Sequence, residues 1–308
     1  MAALKTEQWL ARLDEARGRD AGACAVLCLE ALRLAPGPVV ARAMGGLRRI
    51  GHDGYAEAAL EAFPRLCHDG RKADPGCAGR KALAEGLLAL DWNQPEPWWT
   101  GVSLVQWEPV FGGRVDAAAG LRGLCALGLV RADDPRAPLA LARLLADPEA
   151  EARRGAVRAL REAPEPWALP LLAHRALLRS EDLDAQLDLL HGLLEREQPE
   201  AFQLVADFLD DAWEEGREAA AIALGERGGA AGAALLWQRL ECEPLPARRR
   251  PLWLGLALSR CGEGRGELLT CLPGSTAARR LEVERALEGV LDEELKQALA
   301  GAPRRRPA

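Results

Sequence analysis

Apolar residues recur at helical spacing along most of the chain. Residues 147–163, DPEAEARRGAVRALREA, begin with an Asp-Pro pair typical of a helix start, and Ala152, Ala156 and Leu160 then share one helix face. A second apolar segment, 167–178, follows a proline-containing break. Such pairs recur, with predicted helix starts near 115, 149, 182, 213, 246 and 276. This period of about 30–34 residues predicts a solenoid of helical hairpins.

The sequence also predicts helical segments outside this central region. They cover Pro38–Ile50, Gly54–Cys67, Cys77–Leu90, Ser275–Leu287 and Asp292–Leu299. No linker between them is long enough to separate domains, so we expect one continuous array over 1–302. Within it, residues 91–116 predict an irregular, extended insertion, and the basic tail 303–308 is expected to be disordered.

Two neighbouring sequence segments carry a family resemblance. DPEAEARRGAVRAL followed by WALPLLAHRALL resembles the short bacterial HEAT repeat, the type also found in phycobilisome-lyase-like proteins. Residues 210–228 resemble the same pattern, 181–197 resemble a degenerate copy, and the resemblance extends over about 115–245. The segment VQWEPVFGGRVDAAAGLRGLCALGLV is similar to part of uncharacterised bacterial HEAT-repeat proteins. The resemblance implies an all-α, right-handed α-solenoid of about eight to nine HEAT-like hairpins, with a concave recognition face.

The composition agrees with an all-helical fold. Val, Ile and Thr together number 18 of 308 residues, which is too few for a large sheet because pleated surfaces favour β-branched side chains. Hydrophobic residues make up 49% of the chain, so it can bury a core. These values exclude β-sandwiches, barrels and folds built on Val/Ile-rich parallel strands.

Charge is unevenly distributed. The formal net charge is −6, and residues 181–215 hold twelve acidic side chains against one basic, so the rest of the chain carries −6 − (−11) = +5. The acidic segment is interpreted either as solvated helix faces or as a patch for a basic partner. Nucleic acid is an improbable partner, since its binders usually show a basic excess. No apolar leader or membrane-spanning run is visible, and eight cysteines without a leader favour a reducing cytoplasm.

The segment 91–116 contains four of the nine tryptophans. Irregular loops on a repeat scaffold often carry binding function, and tryptophan offers a large rigid contact surface. The predicted partner-binding residues are Trp98, Trp99, Trp107, Glu108, Arg114 and Asp116. The alternative is that the tryptophans fill an irregular junction between repeats.

Catalytic and metal-binding motifs are missing from the sequence. Cys67, His68 and Cys77 lack the paired spacing of structural zinc sites, so no metal or other cofactor is expected. None of the four histidines precedes a glutamate, which argues against the deoxyhypusine hydroxylase branch of HEAT-like enzymes, whose di-iron site resembles repeated His-Glu pairs. The glycine clusters at 225–232 and 262–266 follow no strand and resemble nucleotide loops only superficially.

The sequence therefore predicts a non-catalytic adaptor that is not an enzyme and binds a protein or peptide on the concave face. A basic partner is expected if the acidic segment 181–215 takes part. The alternative is a HEAT-like enzyme or chaperone acting on a small molecule or damaged base, as bilin-lyase-like or alkylpurine-glycosylase-like proteins do. A structural spacer with no specific site is a third interpretation. The form of the tryptophan-rich region separates the first two: a flat patch favours the adaptor, and a polar-mouthed cavity with a carboxylate at its floor favours the enzyme.

Overall fold

The computed structural model describes residues 5–16, 20–68, 70–179 and 182–301, so the tail predicted to be disordered lies outside the described residues. The chain divides into two compact units, Met1–Ala168 and Leu169–Ala308. In each unit, one set of helices packs in succession and the intervening helices pack against it. The prediction of an all-α fold is confirmed, and the helix pairs are consistent with HEAT-like helical repeats.

Unit 1 contains the helices α1 to α9 and one β-hairpin. Their bounds are α1 Thr6–Ala16, α2 Ala21–Leu34, α3 Gly37–Arg49, α4 Ala56–His68, α5 Ala78–Ala89, α6 Glu96–Val102, β1 Trp107–Val110, β2 Gly113–Asp116, α7 Ala119–Arg131, α8 Ala137–Leu145 and α9 Ala150–Glu162. One row is formed by α3, α5, α7 and α9, each packed on the next. The other row includes α2, α4 and α6, and α8 packs against α7 and α9.

Unit 2 continues with the helices α10 to α18. Their bounds are α10 Ala168–Leu177, α11 Leu183–Leu194, α12 Pro199–Asp207, α13 Glu214–Arg227, α14 Gly229–Cys242, α15 Pro246–Leu258, α16 Glu267–Cys271, α17 Ala277–Ala286 and α18 Glu293–Leu299. Helices α11, α13, α15 and α17 form one row, against which α12 and α14 pack. No helix in the described ranges combines the length and apolar character that crossing a bilayer requires.

A seven-residue motif, an acidic residue and an arginine six positions later, recurs at the loops that precede α5, α7, α9, α13 and α15. The arginine folds back onto its own loop in each copy: Asp74 with Arg80, Asp116 with Arg122, Asp147 with Arg153, Asp211 with Arg217 and Glu243 with Arg249. In the first two copies the acceptor is the carboxylate, and in the other three it is the main-chain carbonyl. Each arginine thus ties the first turns of its helix to the loop before it.

The segment 91–116 differs from the extended loop that the sequence predicted. It folds into the short helix α6 and a two-stranded antiparallel hairpin, in which Trp107 pairs with Asp116 and Val110 with Gly113. The two-residue loop ends at Gly112, whose φ of +85° favours glycine. Local strand pairing across this turn satisfies the backbone groups that an extended loop would leave to water.

Two glycines bring α7 and α9 into backbone contact. A Cβ on Gly123 would lie 2.7 Å from the Cα of Gly155, too close for two helices to accommodate without moving. We expect Gly123→Ala to lower the free energy of unfolding by about 1–3 kcal/mol through overpacking, measured by urea denaturation followed by circular dichroism. The matched control is Gly45→Ala in α3, where a Cβ meets nothing within 4 Å. It should stabilise the protein by about 0.5–1 kcal/mol, and equal effects from the two changes would contradict this account.

Candidate functional site

The hairpin is anchored to unit 1 through the side chain of Gln106. Its amide nitrogen Nε2 donates to the carbonyl of Asp74 at 2.9 Å and to Oε1 of Glu108 at 2.7 Å, and its Oε1 accepts from Nη2 of Arg80. Glu108 in turn accepts the backbone N–H of Gly76 at 2.7 Å. These contacts hold the base of the hairpin on the loop that precedes α5.

A buried ion cluster lies where the hairpin meets α7. Arg122 donates from Nη1 to Asp116 at 2.5 Å and to the carbonyl of Leu104 at 2.8 Å, while its Nε and Nη2 each donate to Asp147 at 2.9 Å. Burial opposes the charge on Asp116, but hydrogen bonds from the backbone of Gln106 and from Arg122 outweigh it and lower the pKa of Asp116. One guanidinium therefore bridges two carboxylates, and the contacts fix all three side chains in place.

A second cluster surrounds Trp99 at the side of α6. The indole Nε1 donates to Oδ2 of Asp134 at 2.8 Å, and the guanidinium of Arg136 binds both oxygens of Asp134 at 3.0 and 2.8 Å. The same guanidinium lies 4.5 Å from the Trp99 ring centroid, so it covers one face of the indole. Hydrogen bonds from Arg136, followed by that from Trp99, hold the pKa of Asp134 well below its usual range.

Between α6 and α8 lies a cavity of about 560 Å³, hereafter the α6–α8 cavity. Its wall is mostly aliphatic and aromatic, with three arginines, one serine and one aspartate among the side chains. They are Trp99, Val102, Ser103, Val105, Arg122, Arg136, Leu139, Ala140, Arg143, Leu144 and Asp147. The buried members form the floor, while Ser103, Val105, Arg136, Leu139 and Arg143 are exposed at the mouth.

The length of α6 explains why this space exists. With seven residues, α6 is the shortest helix of unit 1, and the chain leaves it for the hairpin after Val102. Helix α8 presents Leu139, Ala140 and Leu144 toward the gap at helical spacing. A longer α6 would cover this stripe, so the hairpin leaves apolar surface lining a cavity instead of a closed core.

The structure separates the six residues that the sequence predicted to bind a partner. Trp98 has no exposed surface and packs on Gly128, where a Cβ would lie 2.2 Å from the indole, so the prediction that it anchors a partner is corrected here. Asp116 is also buried, in the ion cluster with Arg122. Because both side chains are buried, neither can contact a partner.

The remaining four predicted residues are in two different places. Trp99 lines the α6–α8 cavity. Trp107, Glu108 and Arg114 lie on the hairpin, where the Arg114 guanidinium stacks 4.4 Å from the Trp107 ring centroid. In the segment 91–116, Trp98 therefore fills space in the core, as the alternative interpretation expected, and Trp99 forms part of a cavity wall.

Several cavity residues were not singled out from the sequence. Arg122 and Asp147 belong to the recurring acid-x5-arginine motif, whose spacing is visible in the chain and would have found them. Leu139 and Arg143 share a helical stripe with Arg136 in the sequence. That this stripe borders a cavity depends on the length of α6, which no local pattern fixes.

The cysteines of unit 1 are packing residues. Burial raises the pKa of Cys77 to about 12 and that of Cys28 to about 12, and it raises the pKa of the fully buried Cys125 as well. Thiols in such surroundings are poor nucleophiles and poor metal ligands. Within the described ranges, no group of three or more His, Cys, Asp or Glu side chains is placed to hold a metal ion.

This chain is similar to a solved structure, although comparisons of its sequence find no match. No family model matches the chain, and no curated protein sequence matches it. A solved structure of human deoxyhypusine hydroxylase in complex with glycerol is similar over 83% of this chain and 91% of that chain, with 16% identity and a TM-score of 0.31.

This finding corrects two predictions. The similar structure is that of an enzyme. By this finding, the predictions of a non-catalytic adaptor and of a chain that is not an enzyme are wrong. A sequence identity of 16% and a TM-score of 0.31 are too low to assign that enzyme's activity to this chain. Each histidine of this chain is followed by Asp, Arg or Gly instead of Glu, so the His-Glu pairs of the di-iron branch are not present.

Proposed function

We propose that this protein is a HEAT-like enzyme or chaperone that acts on a small molecule held in the α6–α8 cavity. The observation that carries the proposal is the cavity itself. Its volume of about 560 Å³ lies within the range of small-molecule sites, roughly 300–1,000 Å³. Such sites are mostly apolar with a few placed polar groups, and this wall has the same character.

Two polar side chains of the cavity, Arg122 and Asp147, hold each other in place. Both carboxylate oxygens of Asp147 accept hydrogen bonds from Arg122, and one also accepts the backbone N–H of Glu149. Asp147 therefore serves to fix the Arg122 guanidinium. This contact orders the polar part of the cavity wall before any molecule binds, as preorganised small-molecule sites require.

The same geometry argues against a damaged cationic base as the ligand. Stacking of such a base requires a free indole face and an unmatched carboxylate. One face of Trp99 is covered by Arg136, and the carboxylates of Asp134 and Asp147 are bound by arginines. We therefore propose the small-molecule branch of the alternative and not the glycosylase-like one.

A neutral fluorescent probe tests whether the cavity takes an apolar molecule. We expect N-phenyl-1-naphthylamine to bind wild-type protein and Leu139→Glu to weaken binding by about tenfold or more, because a carboxylate at the mouth must lose water when the probe enters. Leu139 is 59% exposed, so the change should not unfold the protein. The matched control is Leu34→Glu in α2, at a leucine 67% exposed and outside the cavity. Equal binding by both variants would contradict the assignment.

The same pair of variants identifies the natural small molecule. Each protein is incubated with a cell metabolite extract, and the mixture is compared by mass spectrometry with the protein-free extract. A compound consumed by wild type and by Leu34→Glu, but not by Leu139→Glu, supports an enzyme. A compound retained unchanged with the same dependence supports a chaperone, and no difference between Leu139→Glu and its control overturns the proposal.

A further inference from the structure

Three guanidinium groups border the α6–α8 cavity, and two of them are already occupied. Arg122 donates to Asp116, Asp147 and the carbonyl of Leu104. Arg136 binds both oxygens of Asp134 and stacks on Trp99. Their positive charges are matched by carboxylates of the protein itself.

Arg143 differs from both. It lines the cavity, its side chain is exposed at the mouth, and among the described residues that side chain makes no hydrogen bond or ion pair. An arginine side chain is always charged and has five N–H donors. Arg143 therefore offers an unmatched cation with open donors at the edge of an apolar cavity.

The position of Arg143 sets the geometry of a ligand. It lies seven residues after Arg136, two helical turns along α8, which is about 10 Å of helix axis. Between these two arginines, Leu139 and Ala140 face the cavity from the same side of the helix. An apolar strip of this length thus ends at a free guanidinium.

We propose that the molecule held in the α6–α8 cavity is an amphipathic anion, with an apolar body on the strip of α8 and an acidic group bound by Arg143. This inference rests on the proposed function and adds the chemical class of the ligand. A planar guanidinium pairs with carboxylate, sulfonate or phosphate oxygens through paired N–H donors. A neutral ligand would leave the Arg143 charge unmatched.

Two probes that share an aromatic body test the assignment. N-phenyl-1-naphthylamine is neutral, and 8-anilino-1-naphthalenesulfonate adds one sulfonate to the same ring system. We expect Arg143→Gln to weaken binding of the sulfonate about three- to tenfold and to leave the neutral probe unchanged, since a partly exposed ion pair is lost. The effect should fall as salt is raised. Arg143→Lys should retain part of the affinity, because it keeps the charge.

The control is Arg158→Gln on α9, an exposed arginine that lines a separate cavity between α5, α7 and α9. It should leave the affinity for both probes unchanged. If Arg143→Gln and Arg158→Gln weaken the sulfonate equally, or if neither does, the anion assignment is overturned while binding of the neutral probe still supports the proposed function. If the neutral probe does not bind wild-type protein, both the proposed function and this inference are overturned.

Discussion

Replacement of Arg122 by methionine is expected to lower the free energy of unfolding by about 3–5 kcal/mol, the usual cost of removing one partner from a buried ion pair. The Asp116 and Arg122 side chains are 2% and 4% exposed, so methionine leaves a carboxylate without its cation. The carbonyl of Leu104 loses a donor as well. Urea denaturation followed by circular dichroism measures the change.

The control for this prediction is Arg143→Met in the same cavity, at an arginine whose side chain has no partner among the described residues. Its denaturation midpoint should match that of wild type, and an Arg122→Met midpoint equally close to wild type would contradict the assigned role. The pKa of Asp116 is lowered in the folded protein. Its contribution is therefore present above the unfolded pKa of about 3.9 and is lost as the pH falls through the folded value, so the effect of Arg122→Met should shrink below about pH 4.

Substitution by alanine should have different effects at the neighbouring Trp98 and Trp99: the first should mainly lower stability, and the second should mainly weaken probe binding. Trp98→Ala empties a fully buried site against Gly128, and we expect a loss of about 3–5 kcal/mol in the free energy of unfolding. Trp99→Ala removes a half-buried cavity wall, and Asp134 keeps its bond to Arg136. It should weaken binding of N-phenyl-1-naphthylamine by about tenfold, since an aromatic wall is lost, with a smaller effect on stability.

Denaturation midpoints and probe titrations on the two variants check this contrast. Binding per folded molecule is compared, so that loss of fold is not read as loss of affinity. Two equally unstable variants would place both side chains in the core. If Trp99→Ala binds the probe as tightly as wild type, Trp99 does not contribute to binding in the cavity.

The helices were predictable because their signals are local. The segment predicted as Pro38–Ile50 forms α3, Gly37–Arg49, and Gly51 follows it with a φ of +64°, the conformation that ends helices at glycine. Capping residues, prolines and apolar spacing lie within the segments they control. Element boundaries therefore agree within a few residues.

The candidate site was less predictable because it depends on distant contacts. Trp98 and Trp99 are adjacent and chemically identical, and a rotation of about 100° per residue around α6 sends one into the core and the other to the cavity. The direction of that rotation is set by Gly128 on α7 and Asp134 after it, which lie some thirty residues away. The sequence identified the segment but could not assign the two environments.

The seven-residue motif of an acidic residue and an arginine has a consequence for how such a chain can lengthen. Each copy carries both halves of the contact that closes its own loop, and the carboxylate of Asp147 also binds Arg122 of the preceding copy. A tandem duplication of one segment would therefore bring along the contact that closes its new loop, and at the junction of α7 and α9 the same acid also joins two copies. The hairpin ends on Asp116, the acid of one copy, and leaves that motif intact. A repeat of this kind can therefore hold an inserted hairpin without losing the contact that closes its loop.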